Sequence, residues 1–130
     1  MEHPRPNVAQ SIVFLPTPDL AATAEFYEAI LGLELALDQG SCRIYRVAGA
    51  GYWGFCAAAE PPAEPARTIL TLVAEDVEGW YRLLVDEGVA VDGPPRVNEV
   101  YRIFHFFAAD PNGYRIEVQR FLDPKWDPGS

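Results

Sequence analysis

The chain has 130 residues, 49% apolar and 12% aromatic, enough to bury the core of one ordinary domain or of two small fused repeats. A formal charge of −9 argues against a nucleic-acid backbone as partner; it is compatible with a cationic ligand, or with acidity that serves only solubility. No apolar run approaches the ~20 residues of a membrane helix. The opening Met1-Glu2-His3-Pro4-Arg5-Pro6 lacks the apolar stretch of a secretion signal, so a cytoplasmic protein is expected.

An apolar run at residues 11–15 reads as a strand leading to Asp19, a residue suited to cap a helix. Leu20, Ala24, Tyr27 and Leu31 then recur at helical spacing up to a stop at Gly32. Strand-like pieces follow at 34–37, 43–47 and 52–57, joined by glycine-bearing turns at Gln39-Gly40 and Gly49-Ala50-Gly51. Cys42 and Cys56 fit no metal-binding spacing. They can fall on neighbouring strands, but free thiols are expected in a reducing compartment.

The proline-rich stretch 60–66 reads as an extended linker, and the order then repeats. An apolar run at 68–73 leads to a cap at Asp76. The stripe Val77, Trp80, Tyr81, Leu84 and Val85 ends at Gly88, with Gly79 inside it at a cost of up to ~1 kcal/mol relative to alanine. Strand-like pieces follow at 89–91, 103–108 and 114–121. The tail is irregular, although Phe121 and Trp126 give it a means of packing on this chain or on a partner. The two leading runs are apolar on both faces, as in strands covered on two sides. Asp19 and Asp76 are 57 residues apart, and Gly32 and Gly88 are 56 apart, which marks an internal repeat. The expected fold is α+β, a single domain of two tandem β-α-β-β-β modules at about 9–59 and 67–121, with the linker at 60–66 and the tail at 122–130.

The stretch Asp110-Pro111-Asn112-Gly113 reads as a tight turn feeding a strand in which Arg115, Glu117 and Gln119 share one face. If that face lines a pocket, Glu117 is a ligand or base; if it meets water, it is a surface charge. No phosphate-binding loop, dinucleotide fingerprint, serine triad or HExxH motif is present.

In this order and spacing, Pro18-Asp19-Leu20, Phe26-Tyr27, Leu31-Gly32-Leu33, Glu75-Asp76-Val77, Gly88-Val89 and the turn leading to Glu117 resemble the vicinal oxygen chelate superfamily. That superfamily includes glyoxalases, extradiol dioxygenases and bleomycin resistance proteins. The resemblance implies that each module curls into a half-barrel around a cleft, often across a homodimer. It also implies that enzymatic members hold a divalent metal with first-strand side chains and a last-strand glutamate. Glu117 matches that glutamate. The usual first-strand histidine positions hold Ile12 and Ile69, and neighbouring same-face positions hold Gln10 and Arg67. The classical triad is therefore incomplete. A divalent metal stays possible as cofactor, with Gln10 conceivable as a ligand, but no metal set is assigned.

By the same analogy Ile103, His105 and Phe107 face the cleft beside Glu117. His105 and Glu117 are then the candidate catalytic pair, as acid and base or as ligands; the plainer alternative is a hydrogen-bonded core histidine. Phe107, Gln119, Cys42, Trp53 and Phe55 are candidate ligand-binding residues, the last two as an aromatic cleft wall or as simple core. Two small-molecule functions are weighed, beside a partner-binding module with no small-molecule task, which the enclosed cleft of such a fold disfavours. One is a glyoxalase-like enzyme of lyase or isomerase type acting on a small carbonyl compound. The other is a non-catalytic protein that sequesters an aromatic or cationic compound. The expected partner is a small molecule, with no nucleic acid and no membrane.

Overall fold

The structure is a computed structural model, and it describes residues 2–127. The chain forms two compact units, Met1–Pro61 and Pro62–Ser130. The first contains β1 (Ser11–Thr17), α1 (Leu20–Ala24), β2 (Glu34–Asp38), β3 (Cys42–Ala48) and β4 (Gly51–Ala57), with the sheet ordered β1-β4-β3-β2. The second contains β5 (Ile69–Val73), α2 (Val77–Asp86), β6 (Arg96–Asn98), β7 (Ile103–Ala109) and β8 (Arg115–Phe121), ordered β5-β8-β7-β6. In each sheet the leading strand runs parallel to the last, β1 to β4 and β5 to β8, and the other pairings are antiparallel. The fold is thus α+β, a tandem of β-α-β-β-β modules as expected.

Both helices start where the sequence caps them. The Asp19 carboxylate accepts from the Ala22 amide at 3.0 Å, and the Asp76 carboxylate from the Gly79 amide at 2.8 Å. Gly79 does more than dilute helix propensity: a Cβ there would collide with the capping carboxylate of Asp76. After Ala24 the first helix widens over Glu25–Ile30, where Leu31 donates to the Phe26 carbonyl five residues back.

One face of each sheet is covered by its own helix. In the first unit Tyr27 is fully buried between Phe55, 4.4 Å away ring to ring and stacked, and Trp53, 6.1 Å away and edge-on, with Tyr45 beside them. In the second, Val77 and Leu84 of α2 are buried, and Tyr81 meets Phe106 edge-on at 5.4 Å. Ile116 and Val118 complete that core. Each fully buried apolar side chain of this size contributes roughly 2 kcal/mol.

Four expectations are corrected. The leading strands are not covered on both sides: they lie at sheet edges, and Phe14 is 52% exposed and Ile69 47%. The edge strand before β7 is Arg96–Asn98, while Val91 makes only an isolated bridge to Ala108. The linker contains a turn of 3₁₀ helix at Pro65–Arg67. Cys42 and Cys56 are disulfide-bonded rather than free. They are direct partners in the β3–β4 register, next to the pair in which the Ala57 amide donates to the Ser41 carbonyl. That makes them a non-hydrogen-bonded pair, the closest kind across an antiparallel ladder, with Cα atoms 4.1 Å apart.

The tail begins against its own chain. Trp126 stacks on Phe121 with ring centres 4.1 Å apart. The end of the expected tail, residues 128–130, lies outside the described residues.

Candidate functional site

The turn at Asp110 sets the register of the site. Its carboxylate accepts from the amides of Asn112 and Tyr114 at 2.8 and 2.9 Å, and its carbonyl from Gly113 at 3.0 Å. Gly113 has φ +90°, and a Cβ there would lie 2.9 Å from Pro65, so the chain closes tightly at this point. The strands leave the turn with Phe107 opposite Glu117 and His105 opposite Gln119. On the other side of β8, Thr71 lies opposite Glu117 and Ile69 opposite Arg115.

Because Phe106, Ile116 and Val118 turn toward α2, strand alternation puts Thr71, His105, Phe107, Arg115, Glu117 and Gln119 on the opposite, helix-free face. A cavity of about 470 Å³ opens there, within the second unit. His105, Glu117, Gln119 and Arg115 supply its polar groups, Ile69, Ile103, Phe107 and Phe121 its apolar wall, and Asn98 and Tyr101 complete the lining. Tyr101 is largely exposed, on a loop whose amides at Val100 and Tyr101 are held by the Asn98 side chain.

His105 and Glu117 are both buried, with Nδ1 and Oε2 2.7 Å apart. The other carboxylate oxygen accepts from the Thr71 hydroxyl at 3.1 Å. A carboxylate takes a hydrogen bond from an N–H, so Nδ1 carries the proton and the lone pair of a neutral ring sits on Nε2. Nε2 has no protein partner among the described residues, and neither has the Gln119 amide; both residues line the cavity. The Phe107 ring stands edge-on to the imidazole, 5.3 Å away. Near this face, the Asp92 carboxylate holds Arg96 above the ordinary arginine value, with a smaller contribution from the charge of Glu117. Asp92 is in turn held below the usual carboxylate value, chiefly by its hydrogen bonds from Arg96.

Of the expected site residues, His105, Phe107, Glu117 and Gln119 come together around this cavity. Cys42, Trp53 and Phe55 belong to the first unit and take other roles there. Trp53 and Phe55 lie on the helix-covered face, packed on Tyr27, so the expected aromatic cleft wall is core. Cys42 is tied up in its disulfide. The Gln10 amide donates to the Tyr52 hydroxyl at 3.1 Å. Thr71 was not singled out by sequence reasoning. Its signal is that of the one polar residue in the run Ile69-Leu70-Thr71-Leu72-Val73.

The donor set does not fit a divalent metal held in the usual way. The first-strand positions carry Ile12 and Ile69, whose side chains have no donor atom. Both oxygens of Glu117 are already engaged. No group of three histidine, cysteine, aspartate or glutamate side chains gathers among the described residues.

The sequence model of a family described as Glyoxalase/Bleomycin resistance protein/Dioxygenase superfamily matches residues 9–118. No curated protein matches the sequence. Among solved structures, an integron cassette protein from the mobile metagenome of the Halifax Harbour sewage outfall is 25% identical. It aligns over 86% of this chain and 97% of its own, with a TM-score of 0.75. A glyoxalase/bleomycin resistance protein/dioxygenase from Nocardioides is 19% identical over 99% of this chain and 91% of its own, with a TM-score of 0.76. TioX from Micromonospora sp. ML1 is 16% identical over 88% and 100%, with a TM-score of 0.74.

Proposed function

The chain belongs to the glyoxalase/bleomycin resistance protein/dioxygenase superfamily, and on that footing we propose a proton-transfer enzyme of lyase or isomerase type that acts on a small carbonyl compound. The observation that carries this reading is the 2.7 Å contact between His105 Nδ1 and Glu117 Oε2, with Nε2 left for a ligand in the cavity. Glu117 fixes the tautomer and supports the imidazolium that forms; Nε2 is the base.

In the proposed step Nε2 takes a proton from the carbon next to the carbonyl. The electron pair of that C–H bond becomes the C=C bond of an enolate, and the carbonyl oxygen takes up the charge. The Gln119 amide donates to this oxygen, where a hydrogen bond is worth more in the transition state than in the ground state. Return of the proton from the imidazolium to a different carbon or face gives isomerisation. Departure of a group from the next carbon gives elimination.

The test is deuterium incorporation next to the carbonyl in a panel of small ketones, aldehydes and oxo acids, followed by proton NMR. Exchange by the wild type that is lost in His105→Gln supports the reading. Saturable binding of a compound with an enolisable position, without exchange above buffer, sinks it and leaves the non-catalytic reading. The incomplete ligand set is what favours that second reading. A homodimer belongs to the same proposal, since Ile12, Phe14 and Leu37 expose apolar surface on the first sheet that a second copy would cover. Sedimentation of a monomer at micromolar concentration would remove it.

A further inference from the structure

We infer that Arg115 is an oxyanion anchor, which makes the ligand of this cavity a small carbonyl compound bearing a carboxylate or phosphate. The inference rests on the proposed function for where the reacting carbon sits, but the anchor itself is independent of turnover. Arg115 is half-buried on the same face as Glu117, and its guanidinium carbon lies 3.7 Å from the centroid of the Phe107 ring. Stacking covers one flat face of the guanidinium and holds it in place. The N–H groups lie in its plane, so they remain directed outward, in the fork that matches a carboxylate or phosphate.

No carboxylate pairs with this guanidinium among the described residues. Arg5, Arg82 and Arg120 share that lack among the described residues, but none of the three lines this cavity, in a chain where 19 acidic side chains face 10 basic ones. Arg43, Arg46, Arg67, Arg96 and Arg102 each have a carboxylate within 4.0 Å. A cation held on an aromatic ring at the wall of a cavity, in an acidic protein, and left without a counter-charge is suited to receive one from a ligand.

The order of the groups gives the ligand its direction. Arg115 lies on Phe107, and the Phe107 ring stands 5.3 Å from the imidazole of His105. An oxyanion on Arg115 therefore sends the body of a short molecule along the Phe107 ring toward Nε2 and Gln119. The same charge disfavours a cationic ligand, which is the class that overall acidity by itself would suggest.

The test is a set of NMR titrations of the full chain at fixed ionic strength, using phenylglyoxylate, its neutral methyl ester and phenyl phosphate. At least one of the two oxyanions is expected to bind about tenfold more tightly than the ester, as for a charge-assisted pair. Arg115→Gln should abolish that preference while leaving the ester unchanged, so the ester reports that the cavity is still folded. Preference for one oxyanion alone identifies which the anchor selects. Equal binding of acids and ester, failure of both oxyanions to bind, or an undiminished preference in Arg115→Gln overturns the inference. His105→Gln should keep the acid-to-ester ratio. Loss of the exchange reaction thus bears on the enzyme reading, and loss of the ratio bears on the anchor.

Discussion

His105 and Glu117 meet diagonally across the β7–β8 ladder, each opposite a different residue, with Nδ1 and Oε2 2.7 Å apart. Their surroundings differ. Both oxygens of Glu117 are occupied, whereas His105 keeps one nitrogen for the cavity. If His105 is the base, His105→Gln should remove deuterium exchange altogether, while Glu117→Gln should slow it by about 10²–10⁴ and leave a measurable remainder. Steady-state exchange rates of the two variants decide this. A Glu117→Gln variant as dead as His105→Gln, or a His105→Gln variant with substantial residual rate, would reverse the assignment.

Thr71 acts on the site only through Glu117, to whose Oε1 it donates across the parallel β5–β8 pair. Valine has nearly the same shape and suits a strand. Thr71→Val should therefore cost about 1.5–3 kcal/mol, the value of one hydrogen bond to a charged acceptor, and lower exchange several-fold without changing ligand affinity much. Urea denaturation gives the first number and saturation kinetics the second. A variant unchanged in both would show that the hydroxyl is not holding the carboxylate.

The disulfide between Cys42 and Cys56 bridges neighbouring strands across a sequence separation of 14. A loop of about this size is worth up to roughly 3 kcal/mol in the chain-entropy account. That figure is an upper bound, because the reduced unfolded chain keeps some local structure of its own, so a smaller effect is expected. Reductant should lower the melting temperature of the wild type by several degrees and leave a Cys42→Ser/Cys56→Ser double variant unmoved. A thiol titration of the denatured, unreduced protein that finds two free thiols would contradict the bond itself.

What the sequence reveals and what it hides follow from the range of the interactions involved. Asp19, Asp76, Gly32 and Gly88 act within a turn of their own helices, so caps and stops are legible, and with them the repeat and the module order. The placement of His105 beside Glu117 is also legible, because one short turn at Asp110 connects their strands. The disulfide depends on the exact β3–β4 register, which nothing local in Cys42 or Cys56 records. Trp53 and Phe55 show why a face is harder to read than a strand. Their alternation is plain, but only the position of Tyr27 decides that their side is the one under the helix. β6 escaped because Val89, Ala90 and Val91 look more strand-like than Arg96, Val97 and Asn98. A continuous ladder with β7 nevertheless forms only beyond Pro94 and Pro95, at Arg96–Asn98, while Val91 makes a single bridge.

Tyr45 ties stability to alkaline pH. Its ring is buried, and its hydroxyl donates to Glu28 Oε2 at 2.8 Å. Burial first, then the hydrogen bond to Glu28 and its negative charge, push the phenol well above the ordinary tyrosine value of 10.0, while nearby Arg43 pulls it partly back. A folded-state value above the unfolded one means the unfolded chain gives up this proton first. The contribution is then fully present below about pH 10 and drains away as pH climbs from there toward the folded value. Tyr45→Phe should lose about 1 kcal/mol at neutral pH, where the hydrogen bond is intact. It should also lose stability less steeply than the wild type between about pH 9 and pH 11. Urea midpoints across that range make the comparison, and parallel curves for the two proteins would show that Tyr45 does not titrate differently on folding.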